Sequence, residues 1–235
     1  MRPSLSIVIA AYNEERSIAA VCERCLAVLA RCTDDFEIVL LDDASTDRTP
    51  SIMADLQRRH ANVIRIIRHA QNQGIAATFE EAYRAGCKQY IFDVPGDGEY
   101  PPEALEQILP LLGRYDVVVC NRRYKNYTPY RRLISALYRG VPRLLFGIDL
   151  IDPGSAKCRH RDVIHEIKPR SRGVFVEAER IIRAVRRGYR YTSVDIDPEL
   201  REGGRARGGD PRLALWAGGE MLALWVRLTI FREPP

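Results

Sequence analysis

The sequence has few of the long hydrophobic runs that are typical of membrane-spanning helices. Within its 235 residues no uncharged apolar run reaches the roughly 18 residues that a spanning helix needs. The first residues show no pattern typical of a signal peptide, because a strand-like run begins almost at once. The six cysteines show no disulfide framework, which favours a reducing compartment. We therefore expect a cytoplasmic protein.

Three familiar binding signatures are missing as well. No G-x-G-x-x-G follows a strand and no G-x-x-x-x-G-K-[ST] occurs, which argues against an NAD-dependent dehydrogenase and a P-loop enzyme. No RNA-binding motif is present, so we expect no nucleic-acid partner. The net charge of +5 is modest, but arginines that suit phosphate groups gather in the second half: Arg122, Arg123, Arg131, Arg132, Arg201, Arg205, Arg207 and Arg212.

Apolar runs and helical stripes alternate through the first half of the chain. The runs at residues 5–11, 36–41, 63–67, 90–92 and 116–120 predict buried strands, and the stripes between them predict amphipathic helices. This alternation predicts an α/β fold with a mostly parallel central sheet flanked by helices. Ligands then bind at the carboxyl ends of the strands.

The stretch after the fourth strand is acidic and rich in glycine. Asp97 and Glu99 are separated only by Gly98, so both carboxylates can approach one divalent cation, and hard oxygen ligands suit Mg²⁺ or Mn²⁺. Taken alone, such a turn is more often a solvated cap on the next helix. Polar stretches at residues 12–14 and 42–47 also follow strands, however, so a parallel sheet would gather all three at one edge, which favours a ligand site.

Beyond residue 120 the pattern changes. A basic amphipathic helix is predicted over residues 130–146, kinked or broken around Gly140 and Pro142. A loop at residues 147–157, a helix at 174–187 and a strand at 191–196 follow. Residues 201–209 form a loop of arginines and glycines that either closes over a diphosphate or is a solvated linker.

The last segment differs from the rest of the chain. We expect a catalytic domain over residues 1–210 and an amphipathic C-terminal helix over 211–235, where apolar residues recur at helical spacing beside Trp216. Glu220 and Arg227 make spanning a bilayer costly. The helix is expected either to lie in a membrane interface or to pack on the domain or a partner subunit, as in a homodimer.

Several short motifs occur in the order found in family 2 glycosyltransferases of the GT-A fold. Residues 10–14 (AAYNE) are similar to the family's P-x-Y-N-E, and residues 41–49 (LDDASTDRT) to V-D-D-G-S-x-D-G-T. Residues 72–74 match N-x-G, and residues 97–103 (DGEYPPE) resemble the end of the metal-binding D-x-D with G-Q-x-x-P-E. The chain resembles the dolichol- or polyprenol-phosphate sugar synthases in particular, over roughly residues 5 to 210.

Later positions extend this resemblance. Arg122 fits the arginine after strand five, Arg131 with Ser135 fits R-x-x-x-S, and Asp152 fits the aspartate of the following loop. Arg201 with Gly204 fits the closing R-x-x-G.

The resemblance implies an inverting transfer of a sugar from a nucleotide-diphosphate donor to a polyprenyl phosphate at the inner membrane face. Asp97 and Arg201 would be catalytic, with Asp97 and Glu99 on Mg²⁺ or Mn²⁺, and Arg122, Arg131 and Asp152 would bind the acceptor or its phosphate. The residues implied for the donor nucleotide are Ala10, Tyr12, Glu14, Asp42, Asp43, Gly74 and Gly96.

Two positions depart from the family pattern. Pro95 replaces the first aspartate of D-x-D, so a metal must depend on Asp97 with Glu99 or Asp93. Glu99 replaces the expected glutamine and adds an anionic ligand.

Two other functions stay open. A hydroxyl acceptor, on a polysaccharide or a natural product, would need a general base, for which Asp152, Glu177 and Glu179 are candidates. A non-catalytic nucleotide-sugar binder or regulatory subunit is the alternative from another class, motivated by Pro95.

Overall fold

The structure is a computed structural model that describes residues 2–123, 129–171, 173–199 and 211–235; for residues 129–133 and 211 it describes the backbone only. The strands are β1 (Leu5–Ala11), β2 (Phe36–Asp42), β3 (Ile64–Arg68), β4 (Tyr90–Pro95), β5 (Val117–Arg122), β6 (Lys157–His160) and β7 (Tyr191–Ile196). The helices are α1 (Ile18–Cys32), α2 (Thr49–Arg59), α3 (Ile75–Ala85), α4 (Ala104–Ile108), α5 (Pro129–Phe146), α6 (Arg161–Glu166), α7 (Val176–Arg186) and α8 (Pro211–Trp225).

The seven strands form one sheet in the order β3-β2-β1-β4-β6-β5-β7. All neighbours pair in parallel except β6, which is antiparallel to both β4 and β5. Every residue of β1 is buried, as a central strand covered on both faces requires. The predicted α/β class with a mostly parallel sheet is confirmed.

Helices cover both faces of the sheet. On one face α1 and α4 pack their apolar stripes, with Ile18, Cys22, Cys25 and Leu29 among the fully buried residues of α1. On the other face α3 and α6 cover the β1–β2–β4 part, while α5, α7 and α8 build a second core around Phe146 and Phe175.

Two sequence expectations need correction here. Strand β6 and helix α6 were not predicted, because Lys157, Arg159 and His160 leave one apolar residue in a four-residue strand. Helix α5 is one continuous helix with Pro142 inside it, so the expected break around Gly140 and Pro142 does not occur. The kink that was expected as the other possibility stays a prediction.

Helix α8 continues into a π-helical turn, Val226–Ile230. By length and composition the stretch Arg212–Ile230 is apolar enough to cross a membrane, with a mean hydropathy of 1.3 and 22% of that window buried. Glu220 and Arg227 lie within it, so the stretch is not an uncharged run.

Candidate active site

The strand register brings the three polar loops together. Ala10 lies opposite Leu41 of β2 and Pro95 of β4, and Ala11 lies opposite Asp42. The loops that follow β1, β2 and β4 therefore leave the sheet side by side at its carboxyl edge, as the sequence predicts.

Gly96 makes the closest approach between two of these loops. Its N–H donates to the carbonyl of Ala10 at 3.0 Å, and its carbonyl accepts from Ser17 Oγ at 2.7 Å. A Cβ at this position would lie 3.0 Å from Ala11 Cβ and 3.2 Å from the Ala10 carbonyl oxygen. Only glycine lets the β4 loop lie this close to β1.

The loops after β1 and β2 are joined by hydrogen bonds. The Asn13 N–H donates to Ser45 Oγ at 2.9 Å, and the Glu14 N–H donates to Thr49 Oγ1 at 2.8 Å. These bonds fix the backbone beside Tyr12, whose ring is 46% exposed. Tyr12 thus offers an aromatic face at the rim of the site.

Asp42 ends β2 with a buried carboxylate. Its Oδ1 accepts the Ser45 N–H at 2.9 Å, and its Oδ2 lies 3.0 Å from Nε of Arg68, the last residue of β3. The Arg68 side chain is 59% exposed and lines an open cavity of about 500 Å³ together with Ala44, Ser45, His69 and Ala70. Arg68 was not among the predicted site residues. Its position at the end of a strand is the feature of the sequence that could have indicated it.

Asp43 holds the loop between β3 and α3. Its Oδ1 accepts the Gln73 N–H at 2.8 Å and its Oδ2 accepts the Gly74 N–H at 2.9 Å, while His69 Nδ1 lies 2.6 Å from Oδ1. Burial acts to raise the pKa of the Asp43 carboxyl, but these hydrogen bonds outweigh it and lower the pKa. Gly74 has φ of +83°, which favours glycine. Asp43 and Gly74 therefore shape the site, and their direct contact with a nucleotide stays a prediction.

The acidic loop after β4 carries the two carboxylates predicted for a metal. Asp97 Oδ1 accepts the Glu99 N–H at 3.1 Å. Glu99 Oε1 lies 3.1 Å from Arg122 Nη1, so its charge is shared with an arginine. The role of Asp97 and Glu99 as metal ligands stays a prediction.

Arg122 joins this loop to a second acidic residue. Its Nε and Nη2 donate to Asp152 at 2.8 and 2.9 Å, and its guanidinium lies 5.7 Å from the centre of the Tyr100 ring. Glu99, Arg122 and Asp152 thus form one ion-pair chain across the ends of β4 and β5, and the binding of an acceptor by Arg122 and Asp152 stays a prediction.

Asp93 is not available to a metal. It accepts from Arg159 Nη1 at 2.9 Å inside the protein, on the α3 side of the sheet, and burial raises the pKa of its carboxyl. The expectation that Asp93 could replace the missing aspartate at Pro95 is therefore corrected.

The same buried cluster holds Glu177. Its carboxylate is paired with Arg159 and lies 3.3 Å from Lys157 Nζ. Burial acts to raise the pKa of Glu177, but the charges of Arg159 and Lys157 outweigh it and lower the pKa to about 2. Glu179 is also engaged, by Arg183 at 2.7 Å and by the Ser171 N–H at 2.8 Å. Both carboxylates are thus engaged in ion pairs within the protein.

A clamp outside the site fixes the acidic loop. Arg24 of α1 pairs with Glu103 at 2.6 Å and with Glu199 at 2.7 Å, and the Glu199 N–H donates to the Glu99 carbonyl at 2.9 Å. No sequence motif pointed to Arg24. Of the predicted residues, Arg201 lies outside the described residues, and so does the side chain of Arg131.

The donor set agrees with a metal held mainly by the substrate. Among the described residues no group of three or more His, Cys, Asp and Glu side chains could hold a metal by itself. Mg²⁺ is commonly bound through one or two carboxylates together with substrate phosphates. A cation on Asp97 would therefore need further ligands, such as the phosphates of a bound diphosphate.

Comparison with protein families and curated proteins gives consistent matches. The model of the family described as "Glycosyl transferase family 2" matches residues 6–192. The chain is similar to a dolichyl-phosphate hexose transferase of Haloferax volcanii, with 31% identity over 220 residues that cover 92% of this chain and 89% of the relative. It is also similar to an undecaprenyl-phosphate 4-deoxy-4-formamido-L-arabinose transferase of Photorhabdus laumondii, with 26% identity over 64% of this chain. The chain spans about half of that relative's length, 46%.

Solved structures show the same fold. Glucosyl-3-phosphoglycerate synthase from Mycobacterium tuberculosis, crystallised with Mn²⁺, UDP-glucose and phosphoglyceric acid, matches with a TM-score of 0.73. The match has 17% sequence identity and covers 95% of this chain and 80% of that one. At this identity the likeness shows the fold alone.

Proposed function

The chain belongs to glycosyl transferase family 2, and from this premise we propose that it moves a sugar, with inversion, from a nucleotide-diphosphate sugar to a polyprenyl phosphate. It is a glycosyltransferase of the GT-A fold, as the sequence predicts. Its relatives from Haloferax volcanii and Photorhabdus laumondii are named for transfer to lipid phosphates, which supports this acceptor class.

The nucleoside of the donor binds at the ends of β1, β2 and β3. The base enters the cavity beside Arg68. The exposed Arg68 side chain then moves from Asp42 to a carbonyl of the base, and the buried carboxylate of Asp42 accepts a hydrogen bond from the ring N–H beside that carbonyl. Uracil, thymine and guanine each present a ring N–H beside a carbonyl, whereas adenine and cytosine present no such N–H. UDP-, dTDP- and GDP-sugars are therefore the donors that fit.

The diphosphate lies over the β4 loop. Asp97 holds Mg²⁺ or Mn²⁺ on it, and the cation supplies neutralisation of the charge that develops on the leaving diphosphate. The close contact of Gly96 with β1 fixes the start of this loop relative to the sheet. The ion pair of Arg24 with Glu103 holds the other end of the loop. Arg201 is proposed to add a second positive charge to the leaving group.

The acceptor phosphate binds near Arg122. Asp152 orients the guanidinium through two hydrogen bonds, and Arg131 adds a second positive charge. The observation that carries the choice of a phosphate acceptor is that Asp152, Glu177 and Glu179 are all held in ion pairs. A phosphate is already ionised at neutral pH and needs no base, whereas a hydroxyl acceptor would require one.

The site of action follows from the acceptor. A polyprenyl phosphate keeps its chain in the bilayer, so the domain works as a peripheral protein at the inner face of the membrane. The non-catalytic alternative, motivated by Pro95, is not favoured, because the family match and the curated relatives are those of transferases.

The proposal is tested by comparing two acceptors of equal chain length. UDP-, dTDP- and GDP-sugars are first screened with Mn²⁺ for thermal stabilisation, since a ligand that binds only the folded form raises its stability. The stabilising donor is then incubated with a short-chain polyprenyl phosphate or with the matching polyprenol. We expect sugar transfer to the phosphate only. Transfer to the polyprenol but not to the phosphate would contradict the proposal.

A further inference from the structure

Exposed apolar side chains are concentrated on two neighbouring helices. Of the eleven large hydrophobic residues that the described part of the chain exposes, seven lie on α5, on α8 or on the π-helical turn after it, and Phe231 follows directly. We call six of them the apolar face: Leu137, Val141 and Leu144 on α5, and Leu215, Leu222 and Ile230 on α8 and its π-helical turn. Helices α5 and α8 pack against each other. A concentration of this kind marks an interaction surface.

The opposite side of α8 is already packed on the domain. Ala217, Met221, Leu224 and Leu228 recur every three or four residues and are buried in the core that contains Phe175. Helix α8 is therefore apolar on two sides, whereas an amphipathic helix, as expected from the sequence, is apolar on one side only. Because the buried side follows the helix along its length, α8 lies on the domain and cannot also cross a bilayer.

The exposed charged side chains that the structure describes on these two helices are arginines, and one exposed carboxylate, Asp149, lies 3.7 Å from Arg139. Arg139 and Arg143 of α5 are exposed next to Leu144, itself 84% exposed, and Arg212 and Arg232 are exposed at the two ends of the α8 segment. Trp216, half exposed, lies on the same segment. Apolar residues, arginines and a tryptophan are the combination that an anionic membrane interface accommodates, because arginine heads reach the headgroups while apolar side chains enter the acyl boundary.

The arginines also favour a bilayer over a second copy of the chain as the partner of this face. A two-fold dimer through this face would bring the same patch of both copies together, so Arg139 and Arg143 would approach their own equivalents. Anionic headgroups neutralise them instead. We propose that the apolar face of α5 and α8 docks on the surface of an anionic bilayer. The inference rests on the proposed function, because the lipid-phosphate acceptor explains why a bilayer is the partner.

Vesicle flotation tests the docking without any sugar transfer. The full chain is mixed with vesicles of phosphatidylcholine alone, or of phosphatidylcholine with phosphatidylglycerol, both without polyprenyl phosphate. We expect binding to both, with tighter binding to the anionic vesicles. Replacing Arg139 and Arg143 by glutamine should weaken only the anionic preference, by about fivefold for each arginine.

The apolar contribution is tested with two exposed positions. Leu144→Gln and Leu222→Gln should each weaken binding to both kinds of vesicle by about tenfold. Ile75→Gln is the matched control, because Ile75 is 66% exposed on α3, away from the apolar face. It should leave vesicle binding unchanged. Thermal unfolding of each variant checks that the fold is intact, and Val141→Ala, a milder change on the same face, replaces any variant that does not fold.

The two proposals fail in different ways. Absence of vesicle binding by the wild type, or equal binding by the Leu144 and Leu222 variants, would overturn the docking surface even if a short-chain polyprenyl phosphate is a good acceptor. A concentration-dependent dimer that the same variants abolish would overturn it in favour of a second copy. Vesicle binding that depends on the apolar face, without transfer to the short-chain acceptor, would support the docking surface and contradict the proposed function.

Discussion

Arg122 holds Asp152 through two parallel hydrogen bonds, from Nε to Oδ2 at 2.8 Å and from Nη2 to Oδ1 at 2.9 Å. This pairing fixes the guanidinium plane at the end of β5, where Glu99 approaches the remaining nitrogen at 3.1 Å. Arginine and a carboxylate in this fork geometry form one of the more rigid ion pairs in proteins. The guanidinium of Arg122 is therefore held in one orientation by the carboxylates on either side of it.

Asp152→Asn should loosen that orientation. The amide can accept only one of the two hydrogen bonds, so we expect kcat/KM for a short-chain polyprenyl phosphate to fall about 10- to 100-fold, mostly through KM for the acceptor. Donor binding should be unchanged. Steady-state kinetics with each substrate varied in turn measures the difference. Asp149→Asn, in the same loop but paired only loosely with Arg139 at 3.7 Å, is the control and should behave as wild type.

Gly96→Ala should damage the site through the backbone. The added Cβ would meet Ala11 Cβ at 3.0 Å and the Ala10 carbonyl at 3.2 Å, so β1 and the acidic loop must separate. We expect a loss of about 1–3 kcal/mol in the free energy of unfolding and weaker nucleotide binding. Denaturant unfolding and calorimetric titration measure the two effects.

The control is Gly140→Ala on α5, where no atom lies within 4 Å of the new Cβ. This change should stabilise the protein by about 0.5–1 kcal/mol. Equal stability of the Gly96→Ala and wild-type proteins would contradict the close contact.

Glu177 makes the free energy of unfolding depend on pH in the acidic range. Its pKa is about 2 in the folded state against an ordinary 4.5, so its stabilising contribution is present above pH 4.5 and is lost as the pH falls towards 2. Asp93 acts in the opposite direction, because burial raises its pKa. Glu177→Gln should cost about 3–5 kcal/mol at neutral pH, since it leaves the buried Arg159 less well compensated. It should also flatten the acid dependence between pH 4.5 and 2.

Denaturant unfolding at a series of pH values measures this effect. The control is Glu106→Gln, which removes an exposed ion pair with Arg31 and should cost less than about 1 kcal/mol. An unchanged acid dependence in the Glu177 variant would show that other groups govern it. Transfer to a phosphate acceptor by the folded variant is expected to persist, because Glu177 is not a base in this account.

The sequence was sufficient to predict the strands whose side chains are apolar and buried in the core. β1 and β2 are long, apolar and buried, so their pattern predicted both their position and the edge at which their loops meet. β6 was missed because its charges are satisfied only by distant residues: Arg159 by Asp93 and Glu177, and Lys157 by Glu177. Hydropathy along the chain carries no information on such partners.

The candidate site shows the same limit. The strand pattern placed the polar stretches that contain Asp42, Asp43 and Asp97 at one edge of the sheet, and the strand register brings them together there. The pattern could not tell that Asp43 is occupied by the backbone of Gln73 and Gly74, or that Asp93 faces the interior. Which way a carboxylate points depends on strand register, and register emerges only from the pairing of β4 with β1 and β6.

The central claim is that Asp97 holds a divalent cation on the donor diphosphate. The most direct measurement is the rate of transfer to a short-chain polyprenyl phosphate, and the affinity for the nucleotide diphosphate, as functions of Mn²⁺ concentration in wild type and Asp97→Asn. Glu106→Gln serves as the control carboxylate. We expect the Asp97 variant to lose about 10²- to 10³-fold in rate and to lose the Mn²⁺ dependence of nucleotide binding. A variant that keeps the wild-type rate and the wild-type response to Mn²⁺ would contradict the account.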